Sequence, residues 1–261
     1  MTTHAWERRA ARSGEQSREW DESECCGPIR ERDLETLTAR FRSERQEHGP
    51  RTADAAWLDG PFDEWLHRLD DGCDDDAGDD GCCGDCRVDG DRLDAGGRDC
   101  DRFADFDDDD DLPCPPLRRD SVAALAVAMR ETLPARDALI MSMIAGVECD
   151  HASMMQLAAD PHADRTRLRL ATMLTRSLGD EHMPDERRCA AGMTMLAQIA
   201  DAVPRRWRAQ PCAAMAYVLW WLDDDRAALY AVECLAYDEE CTLGGVVLSL
   251  LERGAQPSWH R

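Results

Sequence analysis

The sequence predicts an all-α fold. Apolar residues recur at spacings of three and four in both halves of the chain, and prolines and glycines fall where such segments begin and end. No stretch alternates apolar and polar residues over the length of a strand between turn signals. The architecture expected is a C-terminal helical bundle containing one tetratricopeptide-like hairpin. A disordered Asp-rich linker and short N-terminal helices precede it.

Residues 1–69 make an N-terminal segment with one or two amphipathic helices. From Ile29 to Glu47, Leu34, Leu37 and Phe41 form one narrow apolar stripe among charges. Pro61 suits the first position of a second helix, 61–69, in which Phe62, Trp65, Leu66 and Leu69 share a face. That face needs cover from the C-terminal domain or from a partner. Residues 70–111 are different in kind: 19 Asp, 4 Arg and no Glu give a net charge of −15 out of −23 for the chain. With so few bulky apolar groups, the tract cannot bury enough surface to offset chain entropy, and disorder is expected.

Residues 112–261 form the α-helical domain. Asp120 is placed to cap a helix through Val122, Leu125 and Met129 that stops near Pro134. Pro134 then opens a helix that turns Leu139, Ile140, Met143 and Ile144 inward. A third apolar-periodic segment carries Leu168, Leu170, Met173, Leu174 and Leu178, with Gly179 as its stop. Pro184 precedes a helix with Cys189, Met193, Leu196, Ala197 and Ala200 on one face, ended by Pro204. Pro211–Leu222 is apolar all round, as in a helix buried on every side. Asp223, Asp224 and Asp225 break it and cap a helix from Arg226 to Tyr237. A last helix from about Thr242 presents Leu243, Val246, Val247, Leu250 and Leu251 before Gly254 and Pro257 close it.

The segment Cys212 to Pro257, CAAMAYVLWWLDDDRAALYAVECLAYDEECTLGGVVLSLLERGAQP, resembles the end of an uncharacterised actinobacterial family, domain of unknown function 4192. The preceding Cys189–Val203 is compatible with it, whereas the aspartate tract departs from a full-length member. The resemblance implies helices and a bacterial origin and supplies no activity. The same hairpin resembles a tetratricopeptide unit, with small Ala227, Ala228 and Ala231 where helices approach closely.

Several clusters invite a chemical reading. Cys73, Cys82, Cys83, Cys86 and Cys100 lie in the acidic tract, with Cys114 just beyond, and Cys83 and Cys86 have the spacing that lets two thiolates reach one zinc ion at about 2.3 Å. A second such pair is missing, and dense carboxylates disfavour thiolates. Glu148 and His151 have a Glu-x-x-His spacing, but di-iron bundles need two such motifs, so a helix-end cap beside a histidine is the better account. Arg205, Arg206, Trp207 and Arg208, with Arg165, Arg167 and Arg169 upstream, could grip nucleic acid. An interhelix loop whose Trp docks into the core is favoured over that.

Composition excludes more than it assigns. The chain has 54 acidic residues against 31 Arg and no Lys, which opposes direct nucleic-acid binding and removes P-loop and lysine Schiff-base chemistry. The absence of Lys and Asn fits a GC-rich actinobacterial gene. No G-x-G-x-x-G, G-x-S-x-G or H-E-x-x-H occurs. The apolar runs are too short for a membrane span, no export signal is visible, and 13 cysteines are expected to be reduced thiols in the cytoplasm. The expectation is a non-enzymatic helical protein-interaction module with an acidic arm, with no small-molecule substrate or cofactor. One alternative is a metal- or redox-responsive regulator using the linker cysteines, in which zinc would be the cofactor. The other is an acidic mimic of nucleic acid that binds a basic protein.

Overall fold

The computed structural model describes residues 27–71, 116–177, 179, 184–257 and 259; among them there are ten α-helices and no strand. The helices are α1 (Glu31–His48), α2 (Pro50–Asp71), α3 (Arg119–Glu131), α4 (Leu133–Ile144) and α5 (His151–Ala159), followed by α6 (Asp164–Ser177), α7 (Glu186–Ala202), α8 (Ala209–Trp221), α9 (Ala227–Tyr237) and α10 (Thr242–Glu252). Single 3-10 turns at Gly146–Glu148 and Arg205–Trp207 link α4 to α5 and α7 to α8. The all-α expectation therefore holds for the described residues.

One apolar cluster runs from Ile29 to Val247. Its most enclosed members are α4 and α8, whose residues are buried nearly all round, as the uniform apolar run of α8 requires. The N-terminal pair belongs to the same cluster. Phe41, Leu58, Phe62, Trp65 and Leu69 are fully buried, because α2 packs on α1, α3, α5 and α7. The Trp65 indole N–H donates to Ser142 Oγ on α4 at 2.9 Å. The apolar face that needed cover thus finds it inside this chain.

Three local expectations change, and one helix is added. Pro61 lies inside α2 rather than at its start. Gly49, with φ 81°, breaks the chain after α1, and Pro50 takes the first helical position. The buried series Leu58, Phe62, Trp65 and Leu69 continues past Pro61 at helical spacing, and that burial outweighs the roughly 3 kcal/mol an interior proline costs. Asp120 does not cap α3, since the helix already begins at Arg119. Leu168 is 71% exposed, so α6 buries Met173 and half-buries Leu170 and Leu174; Leu178 lies outside the described residues. Helix α5 has no apolar stripe long enough to announce it. Asp150 caps it by accepting from Ser153 N at 2.8 Å.

The cap of α3 comes from another helix. Glu64 of α2 accepts from Arg118 N at 2.8 Å, from Arg118 Nε at 3.0 Å and from Ser121 Oγ. One residue earlier, Gln198 of α7 brackets Leu117, accepting from its N–H and donating to its carbonyl, both at 2.9 Å. At the far end of α2, Asp70 accepts from Arg188 Nη1 at 2.6 Å, while Arg188 Nε donates to Ser142 O at 2.8 Å. The places where the chain leaves and re-enters the described body around the acidic tract are therefore both tied to α7. The tract itself, with Cys73, Cys82, Cys83, Cys86 and Cys100, lies outside the described residues.

Burial pushes the Glu64 carboxyl up, but the hydrogen bonds from Ser121 and Arg118 outweigh it and hold its pKa below the ordinary glutamate value. A carboxyl lowered in the folded state stabilises above its unfolded pKa, and that contribution is lost as pH falls through the folded value. Glu64→Ala is expected to lose about 1.5–3 kcal/mol at neutral pH. Glu64→Gln is expected to flatten the fall in stability between about pH 5 and pH 3. Urea melts across that range measure both. Equal acid slopes for Glu64→Gln and the parent chain would remove Glu64 as the source.

Candidate functional site

The C-terminal hairpin owes its surface to the choice of residues turned inward. Against α8 and α10, helix α9 buries Ala227, Tyr230, Ala231 and Cys234, and α10 buries Gly244 and Val247. The small residues among them, Ala227, Ala231, Cys234 and Gly244, let the helix axes come close. The exposed residues of α9 are consequently Ala228, Leu229, Val232 and Ala236, with no charge among them. Leu229 is 46% and Val232 55% exposed; on α10, Val246 is 50% exposed. Ala228, expected at a close helix approach, is on the outside. Of the residues α10 was expected to present inward, Val247 alone is fully buried; Leu243, Leu250 and Leu251 are half-buried.

Acidic turns bracket this strip. Asp223 and Asp225 are exposed before α9, and Asp238, Glu239 and Glu240 are exposed after it. Asp223 takes φ 59°, a left-handed turn that ends α8. Asp224 accepts from Arg226 N at 2.8 Å and pairs with its guanidinium at 2.7 Å. The segment after α10 folds back along α8: Trp220 Nε1 donates to Ala255 O at 2.8 Å and Trp259 Nε1 to Trp221 O at 3.1 Å.

Two buried cysteines belong to the hairpin. Cys241 occupies the cap position before α10, and Cys234 lies on the facing side of α9. Hydrogen bonding from Cys234 pulls the Cys241 thiol pKa down; burial opposes this, and the Gly244 N–H and the charge of Arg136 add to the lowering. The same bond, with burial, pushes Cys234 up. Arg136 is itself buried and donates to Gln210 Oε1 at 2.7 Å, and Gln210 Nε2 lies 3.8 Å from Cys241 Sγ. The other described thiols are governed by burial, which pushes Cys149 and Cys189 up to about 12 and raises Cys212. The sequence signal for the pair was a cysteine immediately before a helix start. The denser cysteines of the acidic tract drew attention from it.

The remaining candidate clusters are taken up by the fold. Glu148 pairs with Arg176 at 2.7 Å, while His151 Nε2 lies 3.1 Å from Asp59 O, so the two do not share a site. Trp207 is buried as expected, with the Arg130 guanidinium 4.4 Å from its ring centre. Arg206 pairs with Glu31 and Glu35 of α1, and Arg205 lies over the Tyr237 ring. Arg165, Arg167 and Arg169 pair with Asp160, Asp164 and Asp150. The shallow cleft of about 290 Å³ between α1, α3 and the 205–207 turn contains Arg42, Arg130 and Arg206, and Arg42 is held by Glu131. Among the described residues, no three His, Cys, Asp or Glu side chains are grouped to hold a metal ion. No helix there is long and apolar enough to cross a membrane. Searches of family models, curated proteins and solved structures find no match to this chain.

Gly244 is the tightest point of the hairpin, because a Cβ there would run into Cys234 Sγ and approach Ala231 O to 3.3 Å. Gly244→Ala is expected to destabilise the chain by about 1–3 kcal/mol, and Cys234→Ala to recover most of that in the double variant. Thermal or urea melts of the four proteins measure the coupling; strictly additive losses would mean the two residues do not meet.

Proposed function

We propose that this chain is a non-enzymatic, cytoplasmic helical interaction module. Its α9–α10 hairpin binds a protein partner through the uncharged strip of Leu229, Val232 and Val246. The observation that carries this reading is the surface of α9, which buries Ala227, Tyr230, Ala231 and Cys234 while its four exposed residues, Ala228, Leu229, Val232 and Ala236, are all apolar. The acidic turns at either end favour a partner whose apolar side chains are flanked by Arg or Lys. The −15 tract acts as an arm that raises the encounter rate with such a partner at low salt. Free thiols at all five described cysteines support a reducing compartment. The same reading takes residues 212–257 as a remodelled relative of domain of unknown function 4192, with a tetratricopeptide-like hairpin.

The test is a salt-graded affinity capture from host lysate, run with the parent chain, a Leu229→Glu/Val232→Glu variant and a chain lacking residues 70–111. A partner held by the parent and by the deletion, but weakened at least about 30-fold in the double variant, is the expected result. The double variant should melt within about 0.5 kcal/mol of the parent, because both positions face solvent. A partner lost with the deletion and indifferent to Leu229 and Val232 would move the function into the aspartates.

A further inference from the structure

We infer that the groove between α7 and the end of α8 is a binding site for a small aromatic amine, whose ring it buries and whose ammonium it meets with Glu186. This stands apart from the proposed partner binding and does not depend on it.

The groove follows from spacing along one helix. Glu186, Ala190 and Met193 fall at intervals of four and three in α7, so they line one face of it. Leu219 and Leu222, at the end of α8, line the opposite side. Met193 and Leu219 are each 1% exposed and make the floor, whereas Glu186 and Ala190 are exposed and lie at the mouth. Ala190 stands where a larger side chain would fill the space, and a cavity of about 260 Å³ remains. Trp259 forms a further wall. Its indole N–H donates to Trp221 O at 3.1 Å and its ring meets the Trp221 ring edge-on at 6.4 Å, so it is held by a residue outside the cavity.

The polar groups at the mouth select the ligand. Asp224 is already paired with the Arg226 guanidinium at 2.7 Å, and the two charges cancel. Glu186 has no hydrogen-bond or ion-pair partner among the described residues. The cavity therefore carries one uncompensated negative charge beside apolar walls, on a chain whose net charge of −23 repels anions. A cation with an apolar body satisfies both halves. The volume lies below the range of about 300–1,000 Å³ that holds drug-sized ligands, so the body is one ring on a short tail. An aromatic ring gains from contact with the Met193 sulfur, and an ammonium gains from the Glu186 carboxylate and the Trp259 indole.

The test titrates the full-length chain with 2-phenylethylamine, neutral 2-phenylethanol and anionic phenylacetate, followed by saturation-transfer NMR. The amine is expected to bind with a Kd of about 0.1–1 mM and the alcohol at least about tenfold more weakly, with no phenylacetate binding below about 10 mM. Glu186→Gln should bring the amine down to the affinity of the alcohol. Ala190→Leu, which fills the cavity from an exposed position, should abolish amine binding. Both variants should melt with the parent chain; if Ala190→Leu does not, Glu186→Gln alone decides the matter. The inference is overturned if amine and alcohol bind equally, or if the amine shows no binding below about 10 mM. It is equally overturned if amine binding survives Glu186→Gln unchanged, which would move the cation to the carboxylates of the acidic tract.

Discussion

Helix α3 touches α1, α2, α4, α7 and α8, so the placement of its first turn constrains most of the molecule. That placement rests on the Glu64 carboxylate, which reaches from α2 to the Arg118 N–H and the Ser121 hydroxyl. A helix start leaves backbone donors without partners, and a buried one must find acceptors in its neighbours. Here the acceptor lies in a segment separated from α3 by the whole acidic tract. The hydrogen bond therefore joins two halves of the chain that sequence alone would assign to different units. Removing it would leave the Arg118 N–H and the buried Ser121 hydroxyl without this acceptor at the start of a helix that touches five others.

The distribution of charge follows from that arrangement. The arginine clusters that could have served a polyanion face carboxylates of the folded body: Arg206 meets α1, Arg169 meets the cap of α5, and Arg176 meets the turn before it. Such exposed pairs contribute little stability each. Their effect is to occupy these arginines with carboxylates of the folded body. Asp70 and Leu117, described residues on either side of the acidic tract, are both tied to α7.

Legibility in the sequence tracked how local each cause was. Helices α4, α7, α8, α9 and α10 were readable because their apolar runs and their Pro, Gly or Asp boundaries are adjacent in the chain. Pro61 was misplaced because a local rule about prolines was overridden by burial of Leu58 and Phe62 on either side of it, which only the packed structure supplies. Asp120 offered a local cap, and a distant glutamate supplied the real one. Helix α5 is short and depends on α2 and α4 for its stability, so periodicity could not mark it. For the candidate surface, the apolar residues of α9 and α10 were visible, but which of them face outward is set by Gly244 and Ala231. The approach of Cys234 to Gly244 needed both helices in place before it could be seen.

The hairpin's two unusual features share one origin. Ordinarily a helix docked on a core turns its large apolar residues inward and its small or polar ones outward. On α9 the order is partly reversed: Ala227, Ala231 and Cys234 are buried beside Tyr230, while Leu229 and Val232 face solvent. Close approach of the helices explains the buried set, since α8 is already filled on all sides and α10 offers a glycine where Cys234 arrives. That same approach brings Cys234 against the cap of α10, where Cys241 must sit to start the helix. Packing by small residues thus sets Cys234 against Gly244 on the inner side and leaves apolar side chains exposed on the outer side. Internal packing explains the first without needing the second. Hydration of Leu229, Val232 and Val246 costs of order 1 kcal/mol for each side chain, and no contact among the described residues recovers it. That cost is what the proposed partner contact would remove.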